Sequence, residues 1–181
     1  MKLRHLVLVA ATLLIASREV RAQGTSLGVG VGYVKASRVD ATLVFSGDLR
    51  FHLSRGFAFE PELSYWKKSQ TTGGITVSVD DLEFGINALL LLPAGRNFQI
   101  FAGAGAAFHH ITGSLGILNF PGVSNSITKG GLDLQAGIDL KVSGQVSFFL
   151  AARHDWVLGL EGADPGRLDQ TKLLGGFRMR F

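Results

Sequence analysis

Apolar and polar residues alternate with a period of two along most of the chain. From Ala41 to Leu53, the residues Ala41, Leu43, Phe45, Gly47, Leu49, Phe51 and Leu53 alternate with Thr42, Val44, Ser46, Asp48, Arg50 and His52. Successive side chains of a strand point to opposite faces, so this stretch is a strand with one apolar and one polar side. A tilted strand crosses a bilayer in ~9–11 residues, and this one is long enough to do so. The last eleven residues repeat the pattern: Thr171, Leu173, Gly175, Phe177, Met179 and Phe181 share one face, while Lys172, Leu174, Gly176, Arg178 and Arg180 share the other.

Six further stretches alternate in the same way. Ser26 to Lys35 sets Leu27, Val29, Val31 and Tyr33 against Gly28, Gly30 and Gly32, a strand with one almost bare face. Phe57, Phe59, Pro61, Leu63 and Tyr65 oppose Glu60, Glu62, Ser64 and Trp66; Pro61 cannot donate to a ladder, which predicts a bulge there. Leu82 to Leu92 opposes a face with Asp81, Glu83 and Asn87, and Phe98 to Phe108 opposes one with Gln99, Phe101 and His109. Leu132 to Val142 opposes Asp133, Gln135, Asp139 and Lys141, and Val146 to Ala152 opposes Ser147, Phe149, Arg153 and Asp155. Tight turns are expected at 54–56, 93–96 and 143–145. The connections at 36–40, 67–77, 110–130 and 156–170 read as loops, the last three long and polar or glycine-rich. Eight strands with short connections at one end and longer ones at the other predict an all-β, eight-stranded antiparallel up-and-down barrel.

The start of the chain follows a different rule. A cationic Met1-Lys-Leu-Arg-His, an apolar run from Leu6 to Ala16 and small residues at Val20-Arg-Ala22 read as a secretory signal peptide over residues 1–22, leaving a mature domain over 23–181. Lys2, Arg4, Arg18 and Arg21 against Glu19 give that leader a net +3, so the charge of the mature chain falls from +4 to +1. A chain so nearly neutral has no basic face for nucleic acid. There is no cysteine for a disulfide or a lipid anchor.

The period alone does not say which face points outward, since a soluble lipocalin-type barrel alternates too. Charges on nearly every polar face, Phe and Tyr near the ends of the apolar faces and the terminal Phe181 place the apolar face outside, against lipid. The closing strand resembles the C-terminal strand of bacterial outer-membrane barrels, and residues 23–181 as a whole resemble the small eight-stranded family of the OmpA/OmpX type. The resemblance implies an integral protein in the outer membrane of a Gram-negative-type bacterium, surrounded by membrane lipid and lipopolysaccharide. It also implies a monomer, delivered to the barrel-assembly machinery through Phe181, and no peptidoglycan-binding domain after Phe181.

On this reading Asp48, Glu60, Glu62, Glu83, Asp133, Asp139 and Asp155 face inward with Arg50, Lys141, Arg153, Lys172, Arg178 and Arg180, an ion-pair network inside a bore that side chains fill. Pairing Leu53 with Phe57 sets Arg50 opposite Glu60 and Asp48 opposite Glu62. Arg178 and Arg180 are expected to occupy the space left by Gly28, Gly30 and Gly32. His109, His110 and His154 read as rim residues at the membrane interface. His154 and Asp155 face opposite ways, against a catalytic pair, and no phosphate loop, CxxC, HExxH or GxSxG motif is present. No catalytic, cofactor or metal residue is therefore assigned. The expected role is structural, with loops 67–77, 110–130 and 156–170 displayed to extracellular partners; the alternative is a small-solute channel or a lipid-modifying enzyme of the lipid A deacylase kind.

Overall fold

The computed structural model describes residues 24–37, 39–117, 120–158 and 169–181. The expected signal peptide, its cleavage position and residues 159–168 of the last loop lie outside them. Eight strands run in chain order: β1 (Thr25–Ala36), β2 (Thr42–His52), β3 (Phe57–Thr72), β4 (Ile75–Pro93), β5 (Phe98–Ile117), β6 (Phe120–Lys141), β7 (Val146–Val157) and β8 (Gln170–Arg180). Each pairs antiparallel with its neighbour, and β8 returns to β1 from Ser26↔Arg180 to Ala36↔Gln170, closing the barrel. Within the membrane-spanning part, closure leaves no free sheet edge, the condition for a sheet to sit in hydrocarbon. The three tight turns are where the sequence puts them: Leu53 N–H donates to Phe57 O at 3.0 Å, Ala94 N–H to Phe98 O at 2.9 Å and Val142 N–H to Val146 O at 2.9 Å, and in the first and third turns Ser54 N–H and Ser143 N–H donate to the same carbonyls at 3.1 and 3.0 Å.

The faces fall as the alternation requires. Val29, Tyr33, Phe45, Phe108 and Phe177 point out and are more than half exposed, while Arg50, Asp81, His109 and Lys172 point in and are fully covered. Pro61 produces no bulge. Asp48↔Glu62 and Phe51↔Phe59 keep one register on both sides of it, and only the rungs between them are missing. Proline removes a donor here without adding a residue.

Two of the expected loops are strand. β3 and β4 stay paired through Lys67↔Asp80 to Thr72↔Ile75 and turn on Gly73 and Gly74, both at positive φ (58° and 81°). Two central residues at positive φ form the hairpin turn whose twist matches that of its strands, and glycine suits it. β5 and β6 likewise pair as far as Ile117↔Phe120, with one register shift after Leu115.

The phase of the pattern inverts where these hairpins leave the membrane-spanning part. On β4 the apolar residues Leu82 to Leu92 face outward at even positions, but Ile75, Val77 and Val79 occupy inward, odd positions. On β5 the change falls between Phe108, outward, and Ile111, inward; on β6, between Ile127, inward, and Leu132, outward. The lengths that keep the membrane phase, Leu82–Leu92 and Phe98–Phe108, are 11 residues each, matching the ~9–11 of a tilted span.

Candidate functional site

Three regions of the barrel carry polar or exposed apolar groups that the lipid-facing belt does not explain. The first is the interior. Seven of the eight strands send charged or amide side chains into it, while β1 supplies Gly28, Gly30 and Gly32 and so gives them room. A Cβ at Gly28 would collide with the Asp48 carboxylate, and one at Gly30 would lie 2.9 Å from Phe149 and 2.8 Å from Ser46 Oγ. The space thus serves Asp48, Ser46 and Phe149 rather than Arg180, which is exposed at the short-turn end together with Lys141.

The network has two storeys. Near the short turns, Arg50 Nε donates to Glu60 at 2.6 Å and Arg50 Nη1 to Asp139 at 2.6 Å. Arg178 reaches the other oxygen of Asp139 at 2.5 Å and Asp48 at 3.0 Å. Phe101 packs under the Arg50 guanidinium at 4.5 Å and Phe149 under that of Arg178 at 4.7 Å, which fixes both planar groups. In the storey above, Arg153 spans Glu62 at 2.9 Å, Glu83 at 2.5 Å and Asp155 at 2.7 Å. Lys172 lies between Glu83 and Asp155 and is held by Ser64 Oγ at 3.2 Å.

His109 is not at the rim. It is fully buried, with Nδ1 2.9 Å from Asp81 Oδ2 and 3.6 Å from Glu83 Oε2. Asp81 also accepts from Gln170 Nε2 at 2.6 Å, and Gln170 Oε1 accepts from Trp66 Nε1 at 3.0 Å. Strict alternation from Phe101 already placed His109 inward; its position at the end of the spanning stretch obscured how far the barrel wall continues. Asp81, Glu83 and His109 bring three potential metal donors within 4.8 Å of one another. Lys172 and Arg153, however, already hold both oxygens of Glu83, so fixed cations stand where a metal would supply charge. Among the described residues, the buried acids Asp48, Glu60, Glu62, Asp81, Glu83, Asp133, Asp139 and Asp155 outnumber the buried Arg50, Arg153, Lys172 and Arg178 by eight to four. The near balance expected from the sequence fails because Lys141 and Arg180 stay outside and Asp81 joins.

The outward histidines are interfacial. His110 Nδ1 pairs with Thr128 Oγ1 at 3.0 Å. His154 pairs with Thr171 Oγ1 at 2.9 Å and stands edge-on to Trp156 at 4.7 Å, while Asp155 turns inward to Arg153 and Lys172. The structure does not bring His154 and Asp155 together.

The second region is the inner face of the β4–β6 extension. Cross-strand partners Val77↔Leu115↔Val123 form an apolar row over three strands, with Ile75 and Ile127 on the same face. These five are 43–71% exposed. The opposite face carries hydroxyls, among them Thr76, Ser78, Thr112, Ser114, Ser124 and Ser126. Ser69 and Ser78 share a 2.8 Å hydrogen bond and Thr71 and Thr76 one of 2.9 Å, stiffening the β3–β4 hairpin. The third region is a cationic vestibule between the short turns, lined by Arg50, Arg55, Arg96, Lys141, Arg178 and Arg180.

Comparison with known proteins fits this geometry. Residues 6–181 match the family described as outer membrane protein beta-barrel domain. Among solved structures, a major outer membrane protein from Thermus thermophilus superposes with a TM-score of 0.70 at 11% identity, covering 87% of this chain and 98% of that one. Neisserial surface protein A does so with 0.68 at 16% identity over 87% and 97%. Ail, the attachment invasion locus protein of Yersinia pestis, solved with the heparin analogue sucrose octasulfate, gives 0.58 at 13% identity over 87% and 97%. At these identities the likeness is one of fold. A search of curated protein sequences returns no significant match.

Proposed function

This chain belongs to the outer membrane protein beta-barrel domain family, and from that premise we propose that it is a surface-interaction scaffold rather than an enzyme. A rigid barrel holds the β4–β6 extension beyond the outer membrane, where its inner face meets a protein partner. The observation that carries this reading is the inversion of phase at the membrane boundary. Below it the apolar side chains meet lipid; above it they turn inward and stay exposed, and exposed contiguous apolar surface marks an interaction site. Ail was solved with a sulfated ligand, but the row Val77, Leu115 and Val123 has no charge to hold one and suits apolar side chains of a protein. A solute channel is disfavoured because Arg50, Arg153, Lys172, Phe101 and Trp66 fill the bore with 2% exposure or less. A hydrolase is disfavoured by the divergence of His154 and Asp155.

The same reading includes export through a signal peptide cleaved after Ala22, delivery to the assembly machinery through Phe181, and a monomeric barrel. A photo-crosslinking residue placed at Val77 or Val123 on intact cells tests the central part. Crosslinks to a protein of defined size, lost when Leu115 is changed to Ser, are expected; crosslinks to none, or the same ones from the lipid-facing Leu63, contradict it.

A further inference from the structure

The vestibule between the three short turns is a cavity of about 230 Å³, far above the ~10–15 Å³ that one water needs. Arg50, Arg55, Arg96, Lys141, Arg178 and Arg180 line it, with Asp139 as the one carboxylate on its wall among the described residues. Asp139 is taken, one oxygen by Arg50 at 2.6 Å and the other by Arg178 at 2.5 Å. Even with Asp48 and Glu60 counted behind it, these cations outnumber the acids around them by six to three.

Two buried donors give the cavity more than a charged rim. Ser26 and Arg50 both line it, are 2% and 0% exposed, and carry atoms, Ser26 Oγ and Arg50 Nη2, that have no hydrogen-bond partner among the described residues. The rest of the Arg50 guanidinium is fixed by Glu60, Asp139 and the ring of Phe101, so Nη2 is preorganised. With Nε and Nη1 held by Glu60 and Asp139, the one guanidinium nitrogen left over and the hydroxyl of its cross-strand neighbour Ser26 can each donate to an oxygen of a tetrahedral oxyanion, and a hydrogen bond from a charged donor to such a group is a strong one.

We propose that this vestibule is a phosphate-binding site: Ser26 Oγ and Arg50 Nη2 donate to the phosphate oxygens, and Arg55 and Arg96 neutralise its charge from the turns. Short turns of such barrels face the periplasm, so the phosphate comes either free in solution or on the headgroup of a lipid beside the mouth. The site lies at the opposite end from the proposed partner face and does not depend on it.

The test is a calorimetric titration of the folded barrel in dodecyl maltoside with two probes, inorganic phosphate and water-soluble dihexanoyl phosphatidate, repeated for Ser26→Ala and for Arg55→Gln with Arg96→Gln. Heat-modifiability on a gel confirms that each variant is folded. Saturable one-to-one binding of inorganic phosphate, weakened about five-fold or more in both variants, supports a site for the free anion. Saturable binding of the phosphatidate alone, with the same losses, supports the site with the headgroup as its source. Binding of neither probe, or binding that both variants leave unchanged, or that chloride displaces at equal concentration, overturns the proposal.

Discussion

Arg50 has no exposed surface and divides its guanidinium between Glu60 and Asp139. Arg50→Leu leaves Arg178 as the cation shared by both carboxylates, with Gln135 still donating to Glu60 at 3.2 Å, and breaking one side of a buried ion pair costs ~3–5 kcal/mol. Arg50→Leu with Glu60→Leu should recover much of that loss, with a coupling of ~0.5–3 kcal/mol in urea unfolding from detergent. Additive single effects would mean the two are not partners. Their pairing was legible in the sequence, because the Leu53–Phe57 turn sets the register and the register sets Arg50 opposite Glu60. The third partner was not: Asp139 is 89 residues away, and only barrel closure brings β6 across the bore to β2. Glu62, the next inward acid along β3, pairs with Arg153. The glycines of β1 separate two kinds of crowding. Gly30→Leu strikes the ring of Phe149 and the hydroxyl of Ser46, overpacking of ~1–3 kcal/mol, and Phe149→Ala in the same chain should relieve it. At Gly32 the obstacle is backbone: a Cβ there would sit on the carbonyl of Leu173 across the β1–β8 seam. Gly32→Ala should therefore impair closure with no rescue from trimming side chains. Refolded fractions from heat-modifiability check both, and rescue of the two variants alike by Phe149→Ala would contradict the distinction.

At the scale of elements, the membrane spans were fully legible and the hairpins beyond them were not. Periodicity identifies a strand only while one face keeps one character. β4, β5 and β6 change character at the boundary without leaving the ladder, so the alternation dissolves while the pairing continues. Thr71-Thr-Gly-Gly74 also has two readings, polar loop or two-residue hairpin, and cross-strand hydroxyl pairs decide for the hairpin. The β5–β6 arm pairs locally and rests on no part of the closure seam. Replacing residues 113–125 by Asn-Gly, between the partners Thr112 and Ser126, is therefore expected to leave refolding intact, with a urea midpoint like that of the parent. Failure of that variant to close would show that the arm is a structural part of the barrel. On intact cells the same variant should lose the crosslinked partner.

At the scale of the molecule, the barrel joins three environments: a lipid-facing belt, a bore filled with paired charges, and two ends of different character. The long-hairpin end presents an apolar inner face and the short-turn end a cationic vestibule. Short turns face the periplasm in barrels of this kind, which places the hairpins outside the cell. The chain contains no cysteine, so a single introduced one reports its own side without background. The deciding measurement labels Thr72→Cys, at the exposed tip of the β3–β4 hairpin, and Ser54→Cys, in the exposed first short turn, with a maleimide too large to cross the outer membrane. On intact cells Thr72→Cys should label fully and Ser54→Cys should not, gaining label only after the outer membrane is permeabilised. Labelling of Ser54→Cys on intact cells, or protection of Thr72→Cys until permeabilisation, would contradict a barrel that crosses the outer membrane with its hairpins at the surface.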